Sequence, residues 1–336
     1  MKNKVLELCE KFIENRDTVR SAFKWENSYL YPVCAAIFLD SEKNADVQAM
    51  KNCDALLKDK VSVFSNFRGI SKIVTLSMLS ADENPEARLD NTLRMYACLK
   101  KHFFSDNYLT LAAITLSGIV PKENFDAVAL RTREIYDLVK KSHPFLTSYE
   151  DSVFSSLLAL SEQKNGDIIT ESERCYKALK GEFFSSNAVQ SLSHVLALCE
   201  GKADEKCSRT VKLFKLLKEN GMKYGTDFEL ATLGVLAMLP ISPEETVELM
   251  KTADDYLATQ KGYGFWGLTK RQRLMHAGMI VSSACLGKDS MSVRQSAVSG
   301  AAISVITAQQ ASMIAAQQAA MCAAIAASQA ATSASN

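Results

Sequence analysis

Glycine and proline are scarce in this sequence, with 14 and 6 in 336 residues. A fold made of many short strands needs these residues at its tight turns, so their scarcity argues against such a fold. Charge of one sign is also missing, because 39 basic residues face 38 acidic ones. This balance argues against a general nucleic-acid binder, which usually carries a basic excess. With 47% hydrophobic and 23% charged residues, the composition is that of a globular protein.

Signals for export and for membrane insertion are missing as well. The first seven residues carry charges and no apolar run, so we expect no secretory signal. The nine cysteines form no C-x-x-C motif, and their number is odd and their spacing wide, which argues against a disulfide framework or a zinc site. Before the alanine-rich tail, no charge-free run of eighteen strongly apolar residues occurs. These features predict a cytoplasmic protein without a membrane span.

A sequence repeat runs through most of the chain. Residues 99–105 and 179–185 share the pattern L-K-x-x-F-F-S, and weaker copies lie before, between and after them. Seven units of about 40 residues account for most of positions 20–288. Five copies are anchored by hydroxyl residues that follow one another at intervals of 38 to 42: Ser65, Ser105, Thr147, Ser185 and Thr226.

Each unit has the pattern of two helices. The first helix is amphipathic, as at Leu89, Leu93, Tyr96 and Leu99, and the second is apolar on nearly every face, as at 109–116. Helix starts are indicated by the proline turns Asn84-Pro85 and Ser242-Pro243 and by two capping boxes, Thr147 with Glu150 and Thr226 with Glu229.

The repeat predicts an all-α fold built from about seven two-helix hairpins over residues 1–290. Two global shapes fit it, an open α/α superhelix with a concave groove and a closed α/α toroid. They differ by a few degrees of rotation per hairpin, and of the two we expect the open form.

The C-terminal segment 291–336 is rich in alanine, glutamine and serine and has no charged residue after Arg294. Alanine has the highest helix propensity, so this tail is predicted to be helical or partly disordered. Its small side chains would allow it to pack into the array or to mediate homo-oligomer formation.

The sequence predicts no catalytic residue, no cofactor and no metal site. The four histidines, His102, His143, His194 and His276, lie in different repeat units and outside any metal-binding spacing. Motifs for phosphate binding or for an activated nucleophile are also missing.

Aromatic residues recur at equivalent loops and form the candidate binding surface. The most distinctive stretch contains Q-x-x-x-G-x-W at Gln260, Gly264 and Trp266, which resembles the repeat motif of terpene cyclases, themselves closed rings of helical hairpins. The resemblance implies an enzyme acting on an apolar, isoprenoid-like small molecule, but it lacks the acidic motif of those enzymes. The residues predicted for a binding surface are Tyr263, Phe265, Trp266, Gln260, Phe103 and Phe183.

The segment 143–151, with the sequence HPFLTSYED, the leucine-rich segment 157–160 and the Gln/Ala-rich tail resemble a bacterial family, the domain of unknown function 4003. This resemblance implies a cytoplasmic bacterial protein and brings no catalytic residues. Without catalytic motifs, the sequence favours a binding or scaffold protein that presents a groove to a protein or peptide partner. The alternative is the toroidal enzyme.

Overall fold

A computed structural model describes residues 1–41, 43–264 and 267–295, with side chains through Leu286. Within these residues the chain is all-helical and has no strand. Two short 3-10 turns, Asn66–Arg68 and Lys122–Asn124, accompany the α-helices. The α-helices are α1 (Lys2–Ala22), α2 (Leu30–Asp40), α3 (Val47–Lys60), α4 (Lys72–Ser80), α5 (Pro85–Lys100), α6 (Asn107–Leu116), α7 (Phe125–Ser142), α8 (Asp151–Leu158), α9 (Asn165–Leu179), α10 (Ser186–Leu198), α11 (Ala203–Glu219), α12 (Glu229–Ala237), α13 (Pro243–Ala258) and α14 (Lys270–Gln295).

The helices pair in chain order into seven hairpins. The first helices of the hairpins begin at residues 2, 47, 85, 125, 165, 203 and 243, which reproduces the period of about 40. The prediction of an all-α array of seven hairpins is therefore confirmed. The described part of α14 ends at Gln295, and the predictions for the rest of the tail lie outside the described residues.

Helix starts follow the local sequence only in part. Asn84 and Ser242 cap α5 and α13 as predicted, because their side-chain oxygens accept hydrogen bonds from Ala87 N–H at 3.0 Å and Glu245 N–H at 3.0 Å. The predicted capping boxes do not form. Thr147 Oγ1 instead donates to the carbonyl of His143, four residues earlier, and α8 begins only at Asp151. At the second position α12 begins at Glu229, beyond Thr226.

The hairpins form two concentric layers. The first helices pack side by side as an outer ring, and the second helices line up inside it. Outer helices keep one exposed face, whereas the inner helices are buried all round; in α6, every residue from Leu109 to Leu116 is buried. This division explains the two sequence patterns, amphipathic for the outer helices and apolar for the inner ones.

The array closes on itself. Helix α1 packs against α13, and α2 packs against α14, so the first hairpin covers the last. Lys4 Nζ donates to the carbonyl oxygen of Ala284 at 2.5 Å, and Ser283 Oγ donates to Asp40 at 2.6 Å. Of the two predicted shapes, the described helices therefore form the closed α/α toroid. The open superhelix that we expected would leave these faces apart.

A buried aromatic cluster stabilises the contact between the first and last hairpins. We call this contact the seam. The Tyr263 hydroxyl and His276 Nδ1 share a hydrogen bond of 2.9 Å, and the centre of the Phe12 ring lies 6.1 Å from that of the imidazole. The Arg16 guanidinium lies 5.7 Å from the centre of the Tyr263 ring. Burial, followed by the charge of Arg16, lowers the pKa of His276 to about 3. The imidazole is therefore neutral, so one of its ring nitrogens can accept a hydrogen bond.

Closure of the ring predicts energetic coupling between residues far apart in the chain. Phe12→Leu and His276→Ala should each cost about 1–3 kcal/mol of unfolding free energy, through lost packing and an unpaired tyrosine hydroxyl. Because the two rings pack together, the double variant should depart from additivity by at least about 0.5 kcal/mol. Urea unfolding of the four proteins measures this coupling.

The control pairs Phe12→Leu with Phe154→Leu, a buried phenylalanine on α8 in the fourth hairpin. These two effects should add, because the residues lie in hairpins that are not neighbours in the ring. Additivity in both pairs would contradict a closed seam.

Candidate binding rim

The loops that join each outer helix to its inner helix all lie at one end of the toroid. Every hairpin repeats the same up-and-down order, so seven such loops meet there, and we call this the long-loop end. Contacts join neighbouring loops around the circle: Asn66 Nδ2 donates to Ser105 Oγ at 2.8 Å, and the rings of Phe104 and Tyr149 lie 6.5 Å apart. The seven loops comprise residues 23–29, 61–71, 101–106, 143–150, 180–185, 220–228 and 259–269.

Six of these loops expose a large aromatic side chain to water. In chain order, the exposed fractions of these six side chains are 98%, 94%, 78%, 99%, 100% and 40%. The side chains recur at about the repeat period. In the seventh loop, Phe265 and Trp266 lie outside the described residues. We call these six side chains the aromatic rim: Trp25, Phe64, Phe104, Phe145, Phe184 and Phe228.

In two hairpins the residue before the rim aromatic packs between neighbouring hairpins as a plug, buried at Phe183 and half-buried at Phe103. Phe183 is buried with its ring 5.1 Å from that of Phe214, and Phe103 lies edge-on to Tyr136 at 5.5 Å. The Arg133 guanidinium covers the Phe103 ring at 5.5 Å. One aromatic of each pair therefore closes the space between neighbouring hairpins, and the next one has no place in that core.

Of the predicted binding residues, the four that the structure describes are not gathered into one surface. Phe103 and Phe183 are plugs, and Tyr263 is part of the seam. Gln260 is half-buried and donates to Thr259 Oγ1 at 3.0 Å. The exposed surface is formed by other aromatics of the same loops, which the sequence placed along one rim without selecting them as binding residues. Their signal in the sequence is their own recurrence at the repeat period.

A lysine precedes each rim aromatic by one to five residues. Lys60 pairs with Asp90 at 2.6 Å, and Lys101 pairs with Asp126 at 2.6 Å. Among the described residues, the other four have no carboxylate within ion-pair distance and are exposed: Lys24, Lys141, Lys180 and Lys223. The long-loop end is therefore both aromatic and basic.

A small cavity of about 130 Å³ opens between the loops of the fourth to sixth hairpins. Glu150, Asp151 and Asp227 line it, together with Leu146 and Phe228. Its acidic wall contrasts with the basic loops around it. The carboxylates do not converge on a metal position, since the described residues contain no group of three or more side chains placed to ligate a metal.

Asp151 is the buried carboxylate of this cavity. It is 6% exposed, and its Oδ2 accepts a hydrogen bond from Ser148 N–H at 2.8 Å. Burial raises the pKa of Asp151 to about 7, against the smaller opposing effect of that hydrogen bond, and the nearby Glu150 raises it further. Burial also raises the pKa of Glu150. The cavity can therefore take up a proton near neutral pH.

Comparison with known proteins gives a family and no activity. The family model described as "Protein of unknown function (DUF4003)" matches residues 15–311. No curated protein and no solved structure matches the chain. Among the described helices, none is long and apolar enough to cross a bilayer.

The raised pKa of Asp151 predicts a pH-dependent effect of the isosteric change Asp151→Asn. Asp151 has a pKa of about 7 when folded and about 3.9 in the unfolded chain, so folding takes up a proton between these values. The wild type therefore loses stability as pH rises from 4 to 7, and the asparagine variant avoids that loss. At pH 8 the variant should be more stable, by on the order of a few kcal/mol.

Thermal unfolding of wild type and Asp151→Asn at pH 8, 7, 6 and 5 measures this effect. The advantage of the variant should shrink steadily toward pH 5. Asp227→Asn, which removes an exposed carboxylate from the same cavity, is the matched control for the change in net charge. An equal difference between wild type and Asp151→Asn at all four pH values would contradict the assignment.

Proposed function

The chain belongs to the DUF4003 family, whose description names no activity, and from this premise we propose that it is a binding protein that docks through its aromatic rim. One observation carries the proposal. Six aromatic side chains, five of them 78–100% exposed, stand on the corresponding loops of successive hairpins, at one end of a closed ring. Exposed hydrophobic residues scattered singly need no explanation, but a periodic set on one surface is typical of an interaction site.

The rim leaves aromatic surface in contact with water after the chain has folded. A buried phenylalanine or tryptophan removes roughly 150–250 Å² from water, so each rim residue forgoes a large stabilisation in the free protein. The neighbouring plugs Phe103 and Phe183 contribute the packing that the hairpins need. A partner that covers the rim would recover what folding leaves exposed.

The sequence favoured a groove that is presented to a protein or peptide partner. For the closed ring, we propose the aromatic rim as the docking surface instead of a groove. Apart from residues near their ends, the described inner helices are buried, which favours the aromatic rim as the surface offered to a partner. A cytoplasmic location is part of the proposal. It is supported by the eight free cysteines of the described chain, whose thiols suit a reducing compartment.

An enzyme of the toroid class is the weaker alternative. The acidic cavity at the long-loop end suits such a substrate poorly, because its volume is about 130 Å³. Small-molecule sites usually occupy about 300–1,000 Å³, and an isoprenoid-like substrate needs an apolar wall, whereas Glu150, Asp151 and Asp227 line this cavity. Binding through the rim therefore has the stronger physical argument.

Site-specific photocrosslinking tests the docking surface. Benzoylphenylalanine in place of Phe104 or Phe184 puts the reactive group on the rim, and in place of Leu130 it puts the group on the exposed face of α7. After irradiation of cells that make the full chain, we expect adducts at both rim positions and few at Leu130. Mass spectrometry identifies the crosslinked molecule.

Two results would overturn the proposal. Adducts at Leu130 with none at Phe104 and Phe184 would place the docking surface on the outer helices. Absence of adducts at every position would remove the support for a binding function of the rim.

A further inference from the structure

We infer that the partner of the aromatic rim is the surface of an anionic lipid bilayer, onto which the toroid docks end-on. This inference rests on the proposed function and names the partner of the same surface. It is carried by the placement of the aromatics, by the lysines beside them and by the charge at the opposite end of the toroid.

The aromatics are arranged as separate anchors. Five of the six are 78–100% exposed, and each stands on the loop of a different hairpin, around the end of the ring. A protein partner would need a matching pocket for each separated anchor to bury it. The interfacial region of a bilayer accepts aromatic side chains at many points and needs no preformed pocket. Anchors at one end of a ring therefore suit a lipid surface.

The lysines give the same surface its charge complementarity. Four hairpins repeat one spacing, with lysine four residues before phenylalanine: Lys60 and Phe64, Lys100 and Phe104, Lys141 and Phe145, Lys180 and Phe184. Lysine can lay its aliphatic part along an apolar surface while its ammonium reaches phosphate groups. Basic residues near an anionic leaflet each strengthen binding, and salt weakens it. The seven loops also carry five acids: Glu182 and Asp227 are exposed, with Glu182 4.0 Å from Lys215, and Glu26, Asp106 and Glu150 are half-buried.

The opposite end of the toroid bears exposed carboxylates where the outer helices begin. An anionic bilayer would repel this end and attract the long-loop end, so the charges favour one orientation. With no described helix able to cross a bilayer, such binding would be peripheral. The exposed acids at this end include Glu83, Glu86, Glu123, Glu162, Glu200 and Glu244, and three exposed lysines, Lys122, Lys164 and Lys202, lie within two residues of Glu123, Glu162 and Glu200.

Vesicle sedimentation with the full chain tests the inference. We expect binding to phosphatidylcholine vesicles that contain 30% phosphatidylglycerol to be at least about tenfold stronger than to phosphatidylcholine alone, and to weaken with salt. The triple variant Phe104→Ser, Phe145→Ser, Phe184→Ser should lose at least about tenfold in affinity, because it removes three anchors. The charge variant Lys141→Glu, Lys180→Glu, Lys223→Glu should lose the preference for the anionic vesicles.

Two matched controls change the same chemistry away from the rim. Leu130→Ser removes an exposed hydrophobic residue from α7, and Lys51→Glu with Lys251→Glu reverses two exposed charges on α3 and α13. Both should bind within about twofold of wild type. All substituted side chains are exposed, and circular dichroism and thermal unfolding confirm that the variants fold.

Trp25 gives a direct readout of insertion. The chain has two tryptophans, so Trp266→Phe leaves Trp25 alone as the fluorophore. On phosphatidylglycerol vesicles its emission should shift to the blue, and lipids brominated on the upper acyl chain should quench it. Binding without a shift or quenching would mean adsorption by charge on another face, and would overturn the inference.

The outcomes separate the inference from the proposed function. If wild type ignores anionic vesicles while Phe104 and Phe184 crosslink to a protein, the lipid inference is wrong and the docking function of the rim stands. If vesicles bind but the rim triple variant binds equally well, the rim is not the lipid surface. If vesicles do not bind and the rim gives no adduct, both are wrong.

Discussion

The whole structure depends on the seam between the first and last hairpins. Each hairpin can bury its apolar faces only against its neighbours, so an open array must leave both terminal hairpins partly uncovered. Here α1 and α2 cover α13 and α14, with Phe12, Tyr263 and His276 at the contact. Closure supplies the terminal hairpins with the neighbours they lack. It also commits the inner helices to the interior and leaves the loop ends as the surfaces where the hairpins can differ.

The hairpin array could be predicted because its causes are local, whereas closure of the ring could not. Apolar periodicity and the caps at Asn84 and Ser242 act over a few residues, and the structure confirms them. The choice between superhelix and toroid depends on a few degrees of rotation per hairpin, summed over seven hairpins. No single residue encodes that sum. The seam joins Phe12 to His276 across most of the chain, and sequence spacing gives no sign of it.

Which aromatic residue of a loop packs in the fold and which is exposed could not be predicted from the sequence, for a similar reason. Phe103 and Phe104 are adjacent and chemically identical, yet one is a plug and the other is exposed. The choice is made by Tyr136 on the next hairpin, a contact that no local pattern predicts. Asp151 shows the same limit: the local pattern suggested a capping box ending at Glu150, but the chain turns later and buries the following carboxylate.

The stability of the fold explains the lysines at the long-loop end but not the exposed aromatic side chains. Lysines belong at the ends of the outer helices in any case, because a helix C-terminus favours positive charge, and the acids at the opposite end suit the N-termini in the same way. The charge difference between the two ends therefore follows from repeating one hairpin direction seven times. The five rim aromatics that are 78–100% exposed have no such explanation, since they bury little of their surface in the fold. The aromatics thus carry the argument for a docking function, and the lysines decide which kind of surface they can meet.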